Sequence, residues 1–131
     1  MEQNEKTRAL LAAFGCALAY LLAGKALAAA LPPLPEEAAR MWAFAHRCAA
    51  APIVEELVFR GIIQQLARPL GERQAVALQA VLFAVQHRGP AGMAYALVCG
   101  LVLGTIRSRT GSVWPGMLLH TLNNLLVFAA G

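Results

Sequence analysis

Three groups of polar residues interrupt otherwise apolar stretches of this chain. Glu55, Glu56 and Arg60 lie in one stretch, His87 ends the next, and His120, Asn123 and Asn124 lie in the last. Glu56 and Arg60 are i,i+4 on a helix and share a face, so they can form an ion pair. Glu55 is turned about 100° from that face at 3.6 residues per turn and must face something else. His120 and Asn124 have the same i,i+4 spacing and point to one side. A carboxylate and a histidine placed together can activate a water, while a second histidine and an amide can donate to a developing oxyanion. Glu55, His87 and His120 could instead hold Zn²⁺ with water in the fourth position. Both arrangements lead to hydrolysis.

The elements that must position these residues are helices in a membrane. Of 131 residues, 59 % are hydrophobic and 14 % charged, against roughly 45–50 % and about 25 % in an ordinary globular chain. The mean hydropathy is +0.57. Too few charges remain to coat a soluble surface, and lipid is the better solvent for the surplus. Apolar runs cover 9–31 (interrupted by Lys25), 42–67, 74–86, 91–106 and 112–131, separated by Pro32-Pro33-Leu34-Pro35, Arg68-Pro69-Leu70-Gly71, His87-Arg88-Gly89-Pro90 and Arg107–Gly111. The reading is an all-α, multi-pass transmembrane bundle of about five helices, one domain over 1–131, with its motif-bearing core at about 46–130. The run 74–86 has only 13 residues, short of the ~20 a full crossing needs. Nothing in the pattern suggests the alternating strands of a barrel. Lys6, Arg8 and the small residues Ala26–Ala30 imitate a signal peptide, but Lys25, Glu2 and Glu5 argue for a retained helix.

The eleven Lys and Arg residues stand singly or in pairs between apolar runs, which excludes a nucleic-acid surface and suits loop charges that set topology. With the N-terminus inside, the inner segments hold Lys6, Arg8, Arg68, Arg73, Arg107 and Arg109, and the outer ones only Arg40, Arg47 and Arg88. The N-terminus is therefore expected in the cytoplasm. Glu55, His87, His120 and Asn124 then all fall in the outer half of the bundle. Cys16, Cys48 and Cys99 are dispersed and offer neither a disulfide framework nor a thiolate metal site.

The three polar groups also spell an ordered pattern. Glu55-Glu56-Leu57-Val58-Phe59-Arg60 matches E-E-x-x-x-R, Phe83-Ala84-Val85-Gln86-His87 matches F-x-x-x-H, and His120-Thr121-Leu122-Asn123-Asn124 matches H-x-x-x-N. In this order, over about 52–128, the chain resembles the CPBP (CAAX protease and bacteriocin-processing, or Abi) family of intramembrane proteases. The resemblance implies that Glu55 and His87 activate the water, that His120 and Asn124 form the oxyanion site, and that Glu56 and Arg60 support them. It also implies a membrane-associated substrate: a CAAX peptide, a bacteriocin leader or a C-terminal anchor. An outward-facing site in a compact, bacterial-looking protein of the plasma membrane favours a peptide or anchor over a prenylated substrate. With five helices the chain is smaller than many members, leaving room for a partner or a self-dimer to complete the cavity.

Two other functions compete with proteolysis. One is a non-enzymatic relative acting in bacteriocin immunity or as a scaffold, which filled motif positions disfavour. The other is a small ion or proton carrier, which the lack of an inverted repeat or broken helix pair disfavours. Between the two hydrolytic chemistries the residues favour a metal-free site. A zinc-bound histidine needs an outer carboxylate to orient it, Glu56 is expected to be taken by Arg60, and the chain has no Asp.

Overall fold

A computed structural model describes all 131 residues, and every regular element in it is a helix. Helix α1 is Glu2–Ala30 and is followed by the extended proline segment. Helix α2 runs continuously over 36–66, and a short 3₁₀ turn at Arg68–Leu70 leads into α3, Glu72–Ala84. Helix α4 is Gly89–Thr110 and α5 is Trp114–Ala129. The five-helix, all-α expectation holds. Helices α1 and α4 are long and apolar enough to cross a bilayer, with 29 and 22 residues.

Helix ends depart from the apolar runs in a consistent direction. Helix α1 begins seven residues before its run because Glu2 and Lys6 form an i,i+4 pair at 2.5 Å on its first turns. Helix α2 begins at Glu36, directly after Pro35, with Glu36 and Glu37 complementing the positive end of the helix dipole. Hydrophobicity alone does not mark such charged first turns. At the other extreme, α4 stops where Gly111 adopts a left-handed φ of 69° and donates its N–H to the Arg107 carbonyl.

The core is small and uses small residues to bring helices close. Ala13 and Ala17 of α1, Phe59 and Ile63 of α2, Leu82, Phe83 and Ala84 of α3, and Ala96 of α4 form one cluster. Every fully buried residue of α1 is an alanine at four-residue spacing, while Leu11, Phe14, Leu18 and Leu22 face outward where lipid would cover them. Helices α3 and α4 form the tightest hairpin. A Cβ on Gly100 would lie 2.9 Å from the Ala80 backbone, so only glycine permits this approach. Two buried amides lock the same region. Gln79 donates to the Gly100 carbonyl at 2.7 Å, and Gln64 of α2 donates to the Gly104 carbonyl at 3.0 Å and to Ser108 Oγ at 2.9 Å.

Helix α2 is not a uniform α-helix. Its turns widen to π-helical bonding at His46–Ala50 and again at Glu56–Ile63. The first widening leaves one carbonyl without an internal partner. The Ala51 N–H bonds to the His46 carbonyl, one residue further back than in an α-helix. In that register the partner of the Arg47 carbonyl would be the N–H of residue 52, which is Pro52 and has none. The Arg47 carbonyl is thereby left for a partner outside the helix. The second widening carries the Glu56–Arg60 pair. Such bulges are frequent at functional sites.

Candidate active site

Glu56 and Arg60 pair as their spacing predicts, with Arg60 Nη1 3.0 Å from Glu56 Oε1 and both side chains wholly buried. The Arg60 guanidinium also lies over the face of Phe83, 4.5 Å from the ring centroid. Helix α5 reaches this pair because Gly116 has no side chain. A Cβ there would stand 2.6 Å from Glu56 Oε2.

Glu56 does more than the sequence suggests. His120 Nδ1 donates to Glu56 Oε1 at 2.9 Å, so one carboxylate oxygen serves both the arginine and the histidine. The opposite ring nitrogen, Nε2, faces Glu55 Oε2 at 3.6 Å. The imidazole thus bridges the angular gap between adjacent glutamates, and the partner that Glu55 required is His120. This overturns the expectation that Arg60 alone occupies Glu56. A carboxylate orienting His120 is present, and that step of the sequence argument against a metal falls.

His87 stands just past the end of α3. Its Nδ1 hydrogen-bonds the Phe83 carbonyl at 3.0 Å, one of the carbonyls that the helix end leaves without an internal partner. Its Nε2 is left for the site. The Phe83 ring touches both histidines, meeting His87 edge to face at 4.7 Å and His120 at 5.8 Å. The sequence placed Phe83 in a motif without assigning it a task. In the structure it is the floor on which Arg60, His87 and His120 all rest.

Asn124 lies one turn beyond His120, and its Nδ2 donates to the Arg47 carbonyl at 2.8 Å, filling the vacancy that Pro52 creates. Cys48 Sγ approaches the Asn124 carbonyl at 3.9 Å and ties the same two turns together. Asn124 is therefore held by α2. Its neighbour Asn123 is not isolated either, since it donates to Asn124 Oδ1 at 3.4 Å.

Direct contacts therefore join Glu55, Glu56, Arg60 and His120, while His87 is reached through Phe83 and Asn124 through the backbone of α2. No three His, Cys, Asp or Glu side chains are grouped closely enough to serve as metal ligands. Beside the site an apolar cavity of about 750 Å³ opens between α1 and the first half of α2. Tyr20, Val54 and Gln86 form its inner wall, and Lys25, Trp42 and His46 stand among its lining residues. Val54 and Gln86 are the immediate neighbours of Glu55 and His87.

A match to a family model accounts for this geometry. The model of the type II CAAX prenyl endopeptidase Rce1-like family covers residues 37–126, which include all three motifs. The chain belongs to this family. The resemblance read from the motifs is thereby borne out. No curated protein and no solved structure matches the chain. Within the Rce1-like match lie α2 to α4 and most of α5, so every polar contact of the site falls inside the family region.

Proposed function

We propose that the protein is an intramembrane endopeptidase that hydrolyses a peptide bond in a membrane-associated substrate without a metal ion. The observation that carries this reading is the His120 ring set between Glu56 and Glu55, its Nδ1 held at 2.9 Å and its Nε2 presented at 3.6 Å. Glu55 is the only one of the two glutamates with a partly open side chain, 19 % exposed against none for Glu56. A water between Glu55 and His87 would lose its proton to the carboxylate as it attacks the carbonyl carbon. His120 would carry a proton on both ring nitrogens, so that Nε2 can donate while Nδ1 is held by Glu56. Nε2 and the second Asn124 amide hydrogen would receive the oxygen as it becomes an oxyanion, and as the C–N bond breaks the proton on Glu55 would pass to the leaving amine. Glu56 and Arg60 hold His120 without touching the substrate.

A metal-free site is supported by the spread of the donors. His87 and His120 each pack against the Phe83 ring, and no three ligating side chains are grouped closely enough to hold a metal. The apolar cavity beside Glu55 supports a substrate that approaches from the lipid, a lipidated peptide or a membrane-anchor segment. In the orientation set by the basic loops, the N-terminus is cytoplasmic and the site opens toward the outer leaflet of a prokaryotic plasma membrane.

The test is cleavage by the purified protein in detergent of membrane-anchored and lipidated peptide substrates, read by mass spectrometry, with Glu55→Gln as the paired variant. Endoproteolytic products that disappear in Glu55→Gln, with its melting temperature unchanged, are the expected result. A Glu55→Gln variant that cleaves as well as the wild type would remove Glu55 from the mechanism.

A further inference from the structure

The site contains a run of hydrogen bonds that points one way and ends on Asn124. The Tyr95 hydroxyl of α4 donates to Asn123 Oδ1, Asn123 Nδ2 donates to Asn124 Oδ1 at 3.4 Å, and Asn124 Nδ2 donates to the Arg47 carbonyl at 2.8 Å. Each amide has one oxygen and one NH₂ group, so accepting at the oxygen aims the donor end at the next residue. With Asn123 Oδ1 engaged by Tyr95, its NH₂ faces Asn124. With Asn124 Oδ1 engaged by Asn123, its own NH₂ faces Arg47, and the second hydrogen on that nitrogen is left for a ligand. A flipped Asn124 would present an acceptor instead, which repels an oxyanion and abandons the Arg47 carbonyl.

Two features of this run are unusual for lipid-facing helices. Tyr95 is 51 % exposed in an otherwise uncharged stretch, and nothing in the core needs its ring. Asn123, three residues after His120 and turned about 100° from Asn124, lies at the edge of the His120–Asn124 face, and a polar side chain there is costly unless it is satisfied. The pairing of the two, one from α4 and one from α5, satisfies both. Bonds aligned in one direction in a low-dielectric setting also strengthen one another.

We propose that Tyr95 and Asn123 are positioning residues that fix the amide orientation of Asn124 and so set its donor strength in the transition state. The proposal rests on the proteolytic reading for its kinetic consequence and on the hydrogen bonds alone for its structural one. It also changes the status of Asn123. Adjacent placement makes it look like a neutral control for Asn124, whereas it forms the middle link.

Two readouts separate the possibilities. The chain has three asparagines, Asn4, Asn123 and Asn124, so labelling asparagine with ¹⁵N yields three side-chain amide pairs. In micelles, Tyr95→Phe is expected to shift the Asn123 and Asn124 pairs and leave Asn4 in place. On cleavage of an anchored peptide, the same variant is expected to lower kcat about three- to tenfold, the worth of one hydrogen bond, with KM and melting temperature unchanged. Asn123→Ala breaks the run one link nearer and should cost at least as much. In an Asn124→Ala background, Tyr95→Phe should have no further effect, because its path to the substrate is gone. An Asn124 amide pair that does not move in Tyr95→Phe overturns the proposal, as does a Tyr95→Phe loss that persists undiminished in Asn124→Ala. A wild-type protein that cleaves no substrate refutes the proteolytic reading instead, while the amide shifts still report on the run itself.

Discussion

Two buried polar regions sit in this bundle, and their chemistry differs. At the α2–α3–α4 crossing, Gln64 and Gln79 are neutral amides that donate to the glycine carbonyls of α4. At the α2–α5 crossing, Glu55, Glu56, Arg60 and His120 are ionisable and bond to one another. The first region does what helix association in lipid requires, joining helices through small residues and interhelical hydrogen bonds. The second costs far more to bury because its groups are ionisable: Glu56 and Arg60 are wholly buried, and of the two glutamates only Glu55 keeps a partly open carboxylate. A bundle needing only adhesion could have used a third glutamine. The open carboxylate of Glu55, next to a histidine anchored through its other nitrogen, is why the proposed chemistry is assigned to the second region.

The sharpest way to break this comparison is Glu56→Gln. It leaves Arg60 buried without its charge partner, and a loss of about 3–5 kcal/mol is expected in denaturant unfolding, together with loss of activity as His120 loses its anchor. If this variant were as stable as the wild type, the ionic region would be no more demanding than the amide one. Asn124→Ala should come next, lowering kcat by about 10²–10³ with little change in KM. Because Asn124 also fills the Arg47 carbonyl, a stability loss of about 1 kcal/mol should accompany it. An activity loss fully explained by unfolding would reduce Asn124 to a structural residue. In the neutral region, Gln79→Leu exchanges a hydrogen bond for an apolar contact and should cost about 1 kcal/mol or less, with kcat per folded molecule unchanged.

The smallest effect is expected at the edge of the amide region. The Ser108 hydroxyl bonds the Glu72 carboxylate and, with Arg68 beside it, holds that group below its ordinary value of 4.5. A carboxylate depressed on folding contributes stability above its unfolded value that is lost as pH falls through the folded one. Ser108→Ala should therefore lower the melting temperature slightly near neutral pH and flatten its fall on acidification below about pH 4.5. An unchanged acid limb would show that the contact carries no linkage.

How far the sequence alone reaches differs between these regions. The ionic site was legible because i,i+4 spacing pairs Glu56 with Arg60 and sets His120 and Asn124 on one face, and because its groups are conspicuous in apolar runs. The His120 contact to Glu56 was not, since it joins residues 64 positions apart across a glycine gap at Gly116. The widened turns of α2 escaped a reading built on 3.6 residues per turn, although Pro52, lacking an N–H, is what leaves the Arg47 carbonyl free within the first of them. The amide region was silent because Gln64 and Gln79 are uncharged and their acceptors are backbone carbonyls, which no side-chain pattern announces. Tyr95 was invisible for a similar reason, lying in a run noted only for its lack of charge.

The central claim is that the ionic region activates water with its own side chains. The direct measurement is cleavage by wild-type protein after exhaustive chelation, with elemental analysis of the same sample. An unchanged rate and no stoichiometric zinc are expected. About one Zn²⁺ per chain, with activity lost on chelation and restored by zinc, would contradict the claim and recast Glu55, His87 and His120 as ligands.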